Sequence, residues 1–105
     1  MKPFDIFITY ISWGAGGKNR PVLVFVLNNN MVEFFPITTQ YSNKSKAIRT
    51  NYFEIEDWKQ AGLSKPSYVD TGTLLSASIL ILKNNKAIGK LTNNDKERLL
   101  SFLNS

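Results

Sequence analysis

Apolar and polar positions alternate along the first half of the chain in runs of strand length. Residues 5–11 (DIFITYI) are β-branched and aromatic, with Ile6, Ile8 and Tyr10 on one face and Phe7, Thr9 and Ile11 on the other, which predicts a strand buried on much of both faces. Residues 12–19 (SWGAGGKN) hold three glycines and one tryptophan and read as a flexible loop. Arg20 then precedes residues 21–27 (PVLVFVL), an apolar run whose only proline stands at its start, the pattern of a central strand. The tripeptide 28–30 (NNN) tolerates left-handed turn conformations and should close a hairpin into residues 31–39 (MVEFFPITT), a third strand in which Pro36 implies an edge, a bulge or a bend.

Periodicity weakens in the middle of the chain. Residues 40–46 (QYSNKSK) form a polar basic loop, residues 47–55 (AIRTNYFEI) alternate as a fourth strand, and residues 56–62 (EDWKQAG) allow one or two helical turns stopped by glycine. A linker around Pro66 leads to residues 68–82, which offer two short strands broken near Gly72. The C-terminus is the one clear helix: Thr92 and Asp95 resemble a capping box, and Leu99, Leu100, Phe102 and Leu103 supply an apolar face. Short strands, turn signals and one terminal helix together predict a mainly β (α+β) fold, a small, strongly bent antiparallel barrel forming a single domain over residues 1–105.

Composition narrows the chemistry. The 105 residues contain neither cysteine nor histidine, which excludes disulfides, thiolate nucleophiles and zinc–thiolate sites and removes the commonest general base and metal ligand. No apolar run approaches the roughly 18–20 residues of a bilayer crossing, and residues 1–4 lead into the first strand without an apolar signal segment, so no membrane contact and a cytoplasmic address are expected. The net charge of +5 is lopsided: residues 1–53 hold six basic side chains against Asp5 and Glu33, whereas residues 54–105 hold seven against six. A polyanion would face the first half.

Candidate functional residues follow from that half. The segment around Gly17 and Lys18 is not a nucleotide-binding P-loop, because Ser12 and Asn19 occupy positions that the motif reserves for glycine and for a magnesium-binding hydroxyl. It remains a mobile loop carrying Trp13 and Lys18, readable as a lid over a site or as a long hairpin loop packed on the barrel. Arg20, fixed in extended backbone by Pro21, presents a planar five-donor fork suited to phosphate. If the second and third strands pair through the asparagine turn, Thr38 falls beside Arg20 at the same barrel end, with Thr39 and Gln40 following. Lys44, Lys46 and Arg49, interleaved with Tyr41 and Tyr52, form a basic–aromatic stretch of the kind that tracks single-stranded nucleic acid, though a solvated loop carries similar charges. The acidic residues Glu54, Glu56 and Asp57 read as helix capping rather than as a metal site.

Read together, the Asp-Ile strand, the glycine-rich segment, Arg20-Pro21-Val22-Leu23-Val24, Pro36-Ile37-Thr38-Thr39-Gln40 and Ile88-Gly89-Lys90-Leu91 before a terminal helix resemble the PemK/MazF family of toxin endoribonucleases over nearly the whole chain. The resemblance implies an SH3-like barrel, a homodimer, cofactor-free and metal-independent cleavage of single-stranded RNA, and a cognate antitoxin whose tail occupies the RNA groove. It implies catalytic roles for Arg20 and Thr38, and substrate selection by the segment from Trp13 to Lys18. One departure stands out: where family members carry stretches such as Asp-Gln-Val-Lys, this chain has Val69-Asp70-Thr71-Gly72-Thr73-Leu74. Two other readings remain open, a non-catalytic RNA- or antitoxin-binding barrel and a peptide-binding SH3-like adaptor.

Overall fold

The computed structural model describes the chain except Asn84 and the side chain of Trp13. Among the described residues, seven strands and three helices follow one another as β1 (Asp5–Trp13), β2 (Gly16–Leu27), β3 (Met31–Thr38), α1 (Lys46–Arg49), β4 (Tyr52–Glu54), β5 (Tyr68–Asp70), β6 (Leu75–Ser78), α2 (Leu80–Lys83), β7 (Ala87–Lys90) and α3 (Asn93–Leu103). The strands pair antiparallel in the order β4-β5-β3-β2-β1-β7, and β6 adds to β3. The expected antiparallel β architecture with short helices and a terminal helix is observed.

The hairpin of β2 and β3 closes where the asparagines predicted it. The Asn28 carboxamide oxygen accepts from the backbone N–H groups of Asn30 (3.1 Å) and Met31 (2.7 Å), so one side chain satisfies two turn donors. Pro36 marks a change of partner: β3 pairs with β6 through residues 31–34 and with β5 through Ile37 and Thr38. A residue without an N–H suits the point where one ladder ends and another begins.

Alternation along these strands buries a cluster on each face of the sheet. Ile6, Leu23, Phe35, Ile37, Phe53 and Val69 point to one side, where Leu99, Phe102 and Leu103 of α3 and the segment around Ala61 and Leu63 cover them. Phe7, Val22, Val24, Val32 and Phe34 point to the other side, where Leu82 of α2 packs. That segment, residues 56–62, makes the predicted helical turn and ends in a Schellman arrangement: Gly62, at φ 92°, donates to the Lys59 carbonyl and Leu63 to that of Trp58, both at 3.0 Å.

The structure corrects several expectations. Residues 12–19 are not a loop, because β1 and β2 continue their ladder to the Trp13–Gly16 pair and turn at Gly14 (φ 43°) and Ala15. Residues 47–55 are not one strand: Ser45 caps α1 by accepting from the Ile48 N–H (3.3 Å), the Thr50 hydroxyl donates to the Lys46 carbonyl (2.9 Å), and these local bonds stop the extended backbone until Tyr52. Residues 80–82 belong to α2 rather than to a strand. On the strand expected to be buried on both faces, Ile8 and Tyr10 are exposed, as is Leu100 on α3. Asp95 does not complete a capping box. The Thr92 hydroxyl accepts from the Asp95 N–H (3.3 Å), but the Asp95 carboxylate is fully buried and accepts from the N–H groups of Glu56 (3.1 Å) and Asp57 (2.8 Å) and from Arg98 (2.6 Å).

A candidate nucleic-acid interface

The register of β2 and β3 builds the centre of the site. Leu23 pairs with Phe35 and Val22 with Pro36, where the ladder ends, and Arg20 and Thr38 each stand two residues beyond that last pair. Both line one cleft of about 140 Å3 together with Lys18, Asn19, Pro21, Ile37, Thr39, Gln40 and Ser67. Arg20 lies inside β2, not ahead of it, and pairs on its other side with Thr9 of β1. An arginine in the middle of a sheet has a fixed Cα, which anchors its side chain beside the cleft. Thr38 is buried, and its hydroxyl oxygen accepts from the Gln40 N–H (3.0 Å), which leaves the hydroxyl hydrogen as a donor. The strand ends at Thr38, one residue earlier than expected, so Thr39 and Gln40 form the exposed lip.

Register places further side chains on this face. Thr38 pairs with Tyr68, Tyr68 with Glu54 and Tyr52 with Asp70, all pointing away from the core side that takes Ile37, Phe53 and Val69. Tyr41, from the loop after β3, stacks on Tyr68 with ring centroids 4.4 Å apart, and Tyr52 lies 6.3 and 6.5 Å from these two rings. The Arg49 guanidinium sits over the Tyr41 ring at 5.5 Å. Burial raises the Tyr52 phenol above its usual value of 10.0 and Asp70 raises it further, while the Arg20 charge pulls the other way. Burial, with smaller contributions from Glu54 and Tyr41, raises Tyr68. Both phenols therefore stay protonated and neutral at neutral pH.

Of the residues singled out in the sequence, Lys18, Arg20, Thr38, Thr39 and Gln40 meet in the cleft, and Arg49 joins its aromatic flank. Lys44 is half-buried, its N–H bonded to the Tyr41 carbonyl, and Lys46 opens α1 on the surface. The expectation for Trp13 falls on a side chain outside those described. Tyr68 and Ser67 escaped sequence reasoning, because their proximity to the cleft comes from pairing between distant strands. Among the described residues no group of three or more acidic side chains could hold a metal ion, and no helix is long and apolar enough to cross a membrane. A larger concavity, about 590 Å3, lies elsewhere between β4 and α3 and carries Glu54 and Glu97 beside Arg98, an unfavourable lining for a polyanion.

The architecture is thus a small antiparallel β-fold with a cationic, aromatic-flanked cleft at one end of its central hairpin. It is a MazF-like fold: the chain superposes on the Mycobacterium tuberculosis toxin MazF-mt6 with a TM-score of 0.69 over 94% of this chain and 91% of that one, at 20% sequence identity. No family model and no curated protein sequence matches the chain.

Proposed function

We propose that this chain is a toxin of the PemK/MazF type, an endoribonuclease that cuts single-stranded mRNA in the cytoplasm without a metal or other cofactor. The juxtaposition of Arg20 and Thr38 in one cleft of a MazF-like fold carries the reading. The cleft is well below the roughly 300 Å3 of pockets that engulf a small-molecule substrate, and suits a phosphodiester presented by a polymer lying across the surface. Lys18, Lys44, Lys46 and Arg49, with Thr39 and Gln40 at the lip, supply contacts along that path.

In this reading the ribose 2′-oxygen forms a bond to its adjacent phosphorus, the bond to the 5′-oxygen breaks, and the products end in a 2′,3′-cyclic phosphate and a 5′-hydroxyl. Negative charge grows on the phosphoryl oxygens as the fifth bond forms. The Arg20 fork, always charged, is aimed at that charge and is worth about 3–4 kcal/mol, the scale of one preorganised donor at a developing oxyanion. Thr38 donates a hydrogen bond to the same phosphate. Its alcohol is too weak an acid and its oxygen too engaged with Gln40 for a role as base. The 2′-hydroxyl proton passes to solvent and the leaving 5′-oxygen takes one up from solvent, while Arg20 keeps its charge and stays hydrogen-bonded to the phosphate.

A homodimer and a cognate antitoxin complete the proposal. Leu80 and Ile81, adjacent on α2 and 65% and 52% exposed, supply apolar surface for such contacts. The test is incubation of purified protein with a long single-stranded RNA in EDTA and mapping of the ends, with Arg20→Ala in parallel. Discrete cuts lost in the variant are expected. Salt-dependent binding without cuts would leave a non-catalytic RNA-binding barrel, and no RNA affinity would leave a peptide-binding adaptor.

A further inference from the structure

We infer that Tyr41, Tyr52 and Tyr68 form a nucleobase subsite beside Arg20 and Thr38, in which a base of the bound strand stacks on the tyrosine cluster while its phosphate occupies the cleft. The inference rests on the endoribonuclease reading for the identity of the polymer and adds where one of its bases is held.

The three rings come from separate parts of the chain and meet only through tertiary structure. Tyr68 is carried next to Thr38 by the β3–β5 ladder, Tyr52 sits one strand further out, and Tyr41 folds back from the loop after β3 to stack on Tyr68 at 4.4 Å with the planes 14° apart. They lie on the face opposite the core, because Ile37, Phe53 and Val69 take the inward positions of the same strands. All three are half-buried, so part of each side chain stays open to solvent on a face whose neighbouring cleft is cationic. The phenols stay protonated, so the negative charge on this face is confined to the Glu54 and Asp70 carboxylates paired with Tyr68 and Tyr52. Arg49, over Tyr41 at 5.5 Å, adds a second guanidinium to the cluster. Aromatic faces beside cationic side chains match single-stranded nucleic acid, whose bases offer π-faces between charged phosphates.

The test measures binding with an uncleavable 2′-O-methyl dodecamer of mixed sequence and with its counterpart containing abasic sites. The parent protein should bind the base-bearing strand at least about tenfold more tightly than the abasic one. Tyr41→Leu and Tyr68→Leu should each remove most of that difference with no change in the salt dependence, and the phenylalanine variants should keep it. Tyr41 lies outside every strand, so Tyr41→Leu leaves the ladders intact even if Tyr68→Leu fails to fold. Equal weakening toward both strands, or no weakening, overturns the subsite. Cleavage in EDTA is read separately. A parent protein that cuts RNA while its base preference is untouched by the leucine variants refutes the subsite alone. A parent that cuts nothing yet shows the tyrosine-dependent preference refutes the endoribonuclease reading and leaves the subsite standing.

Discussion

Replacing Asp95 with asparagine tests how α3 is fastened to the rest of the molecule. The carboxylate is fully buried and accepts three hydrogen bonds, from the N–H groups of Glu56 and Asp57 and from Arg98. Whichever way an asparagine amide turns, its NH2 group faces a donor: the Asp57 N–H in one orientation, the Glu56 N–H and Arg98 in the other. At least one buried backbone N–H is orphaned, and the charge that complements Arg98 disappears. An orphaned buried donor costs about 1–3 kcal/mol, and losing a charge-assisted bond brings the total to roughly 2–4 kcal/mol. That is a large share of the 5–15 kcal/mol typical of a domain, equivalent to a fall in Tm of about 10–20 °C. Arg98→Met should cost less, about 1–2 kcal/mol, because Asp95 keeps both backbone donors and the arginine is partly solvated, with its ion pair to Glu56 at 3.4 Å. Urea unfolding followed by circular dichroism measures both variants. An Asp95→Asn protein within about 0.5 kcal/mol of the parent would refute the reasoning, and a larger loss in Arg98→Met would relocate the stabilisation from the backbone donors to the ion pair.

Other expectations can be checked in parallel. Arg20→Ala should lower the RNA cleavage rate by about 10²–10³-fold, and Arg20→Lys should restore only part of it because a single ammonium cannot replace the fork, as read from end-labelled cleavage time courses. A Cβ at Gly89 would overlap the Ala61 carbonyl oxygen, so Gly89→Ala should destabilise by about 1–3 kcal/mol in thermal melts. Removing any one lysine or arginine that contacts RNA should reduce the slope of log K against log salt by about 0.7, and titrating Lys44→Ala and Lys46→Ala variants with salt shows which of the two lies on the path. Because Tyr52 and Tyr68 are raised above 10.0 in the folded chain, the unfolded chain loses these protons first. Stability should therefore fall as pH rises through 10 toward the folded values, and phenolate absorbance of the native protein should lag that of the urea-unfolded protein.

The hairpin of β2 and β3 was legible because everything that sets it is local. A seven-residue apolar run, three asparagines and a second apolar run fix the pairing, and the pairing carries Arg20 to Thr38. Where local cues conflicted, reading failed. Three glycines in residues 12–19 suggested a loop, yet Gly14 alone has the positive φ that turns the chain, and Gly16 and Gly17 lie in the ladder. In residues 47–55 the alternation was genuine, but Ser45 and Thr50 bond the intervening backbone into one helical turn, an effect of side-chain chemistry that hydrophobic period does not register.

The amino-acid sequence by itself determined the strand-rich character, the terminal helix, the exclusion of cysteine and histidine chemistry, the cationic first half and the Arg20–Thr38 neighbourhood, because composition, period and a short turn act over a few residues at a time. Only the tertiary structure decided that Tyr41, Tyr52 and Tyr68 share one face and that Asp95 is buried beneath residues 56 and 57. Those contacts join segments 11 to 39 residues apart, and their partners are chosen by which strands pair and which faces must leave water, a competition settled by the chain as a whole.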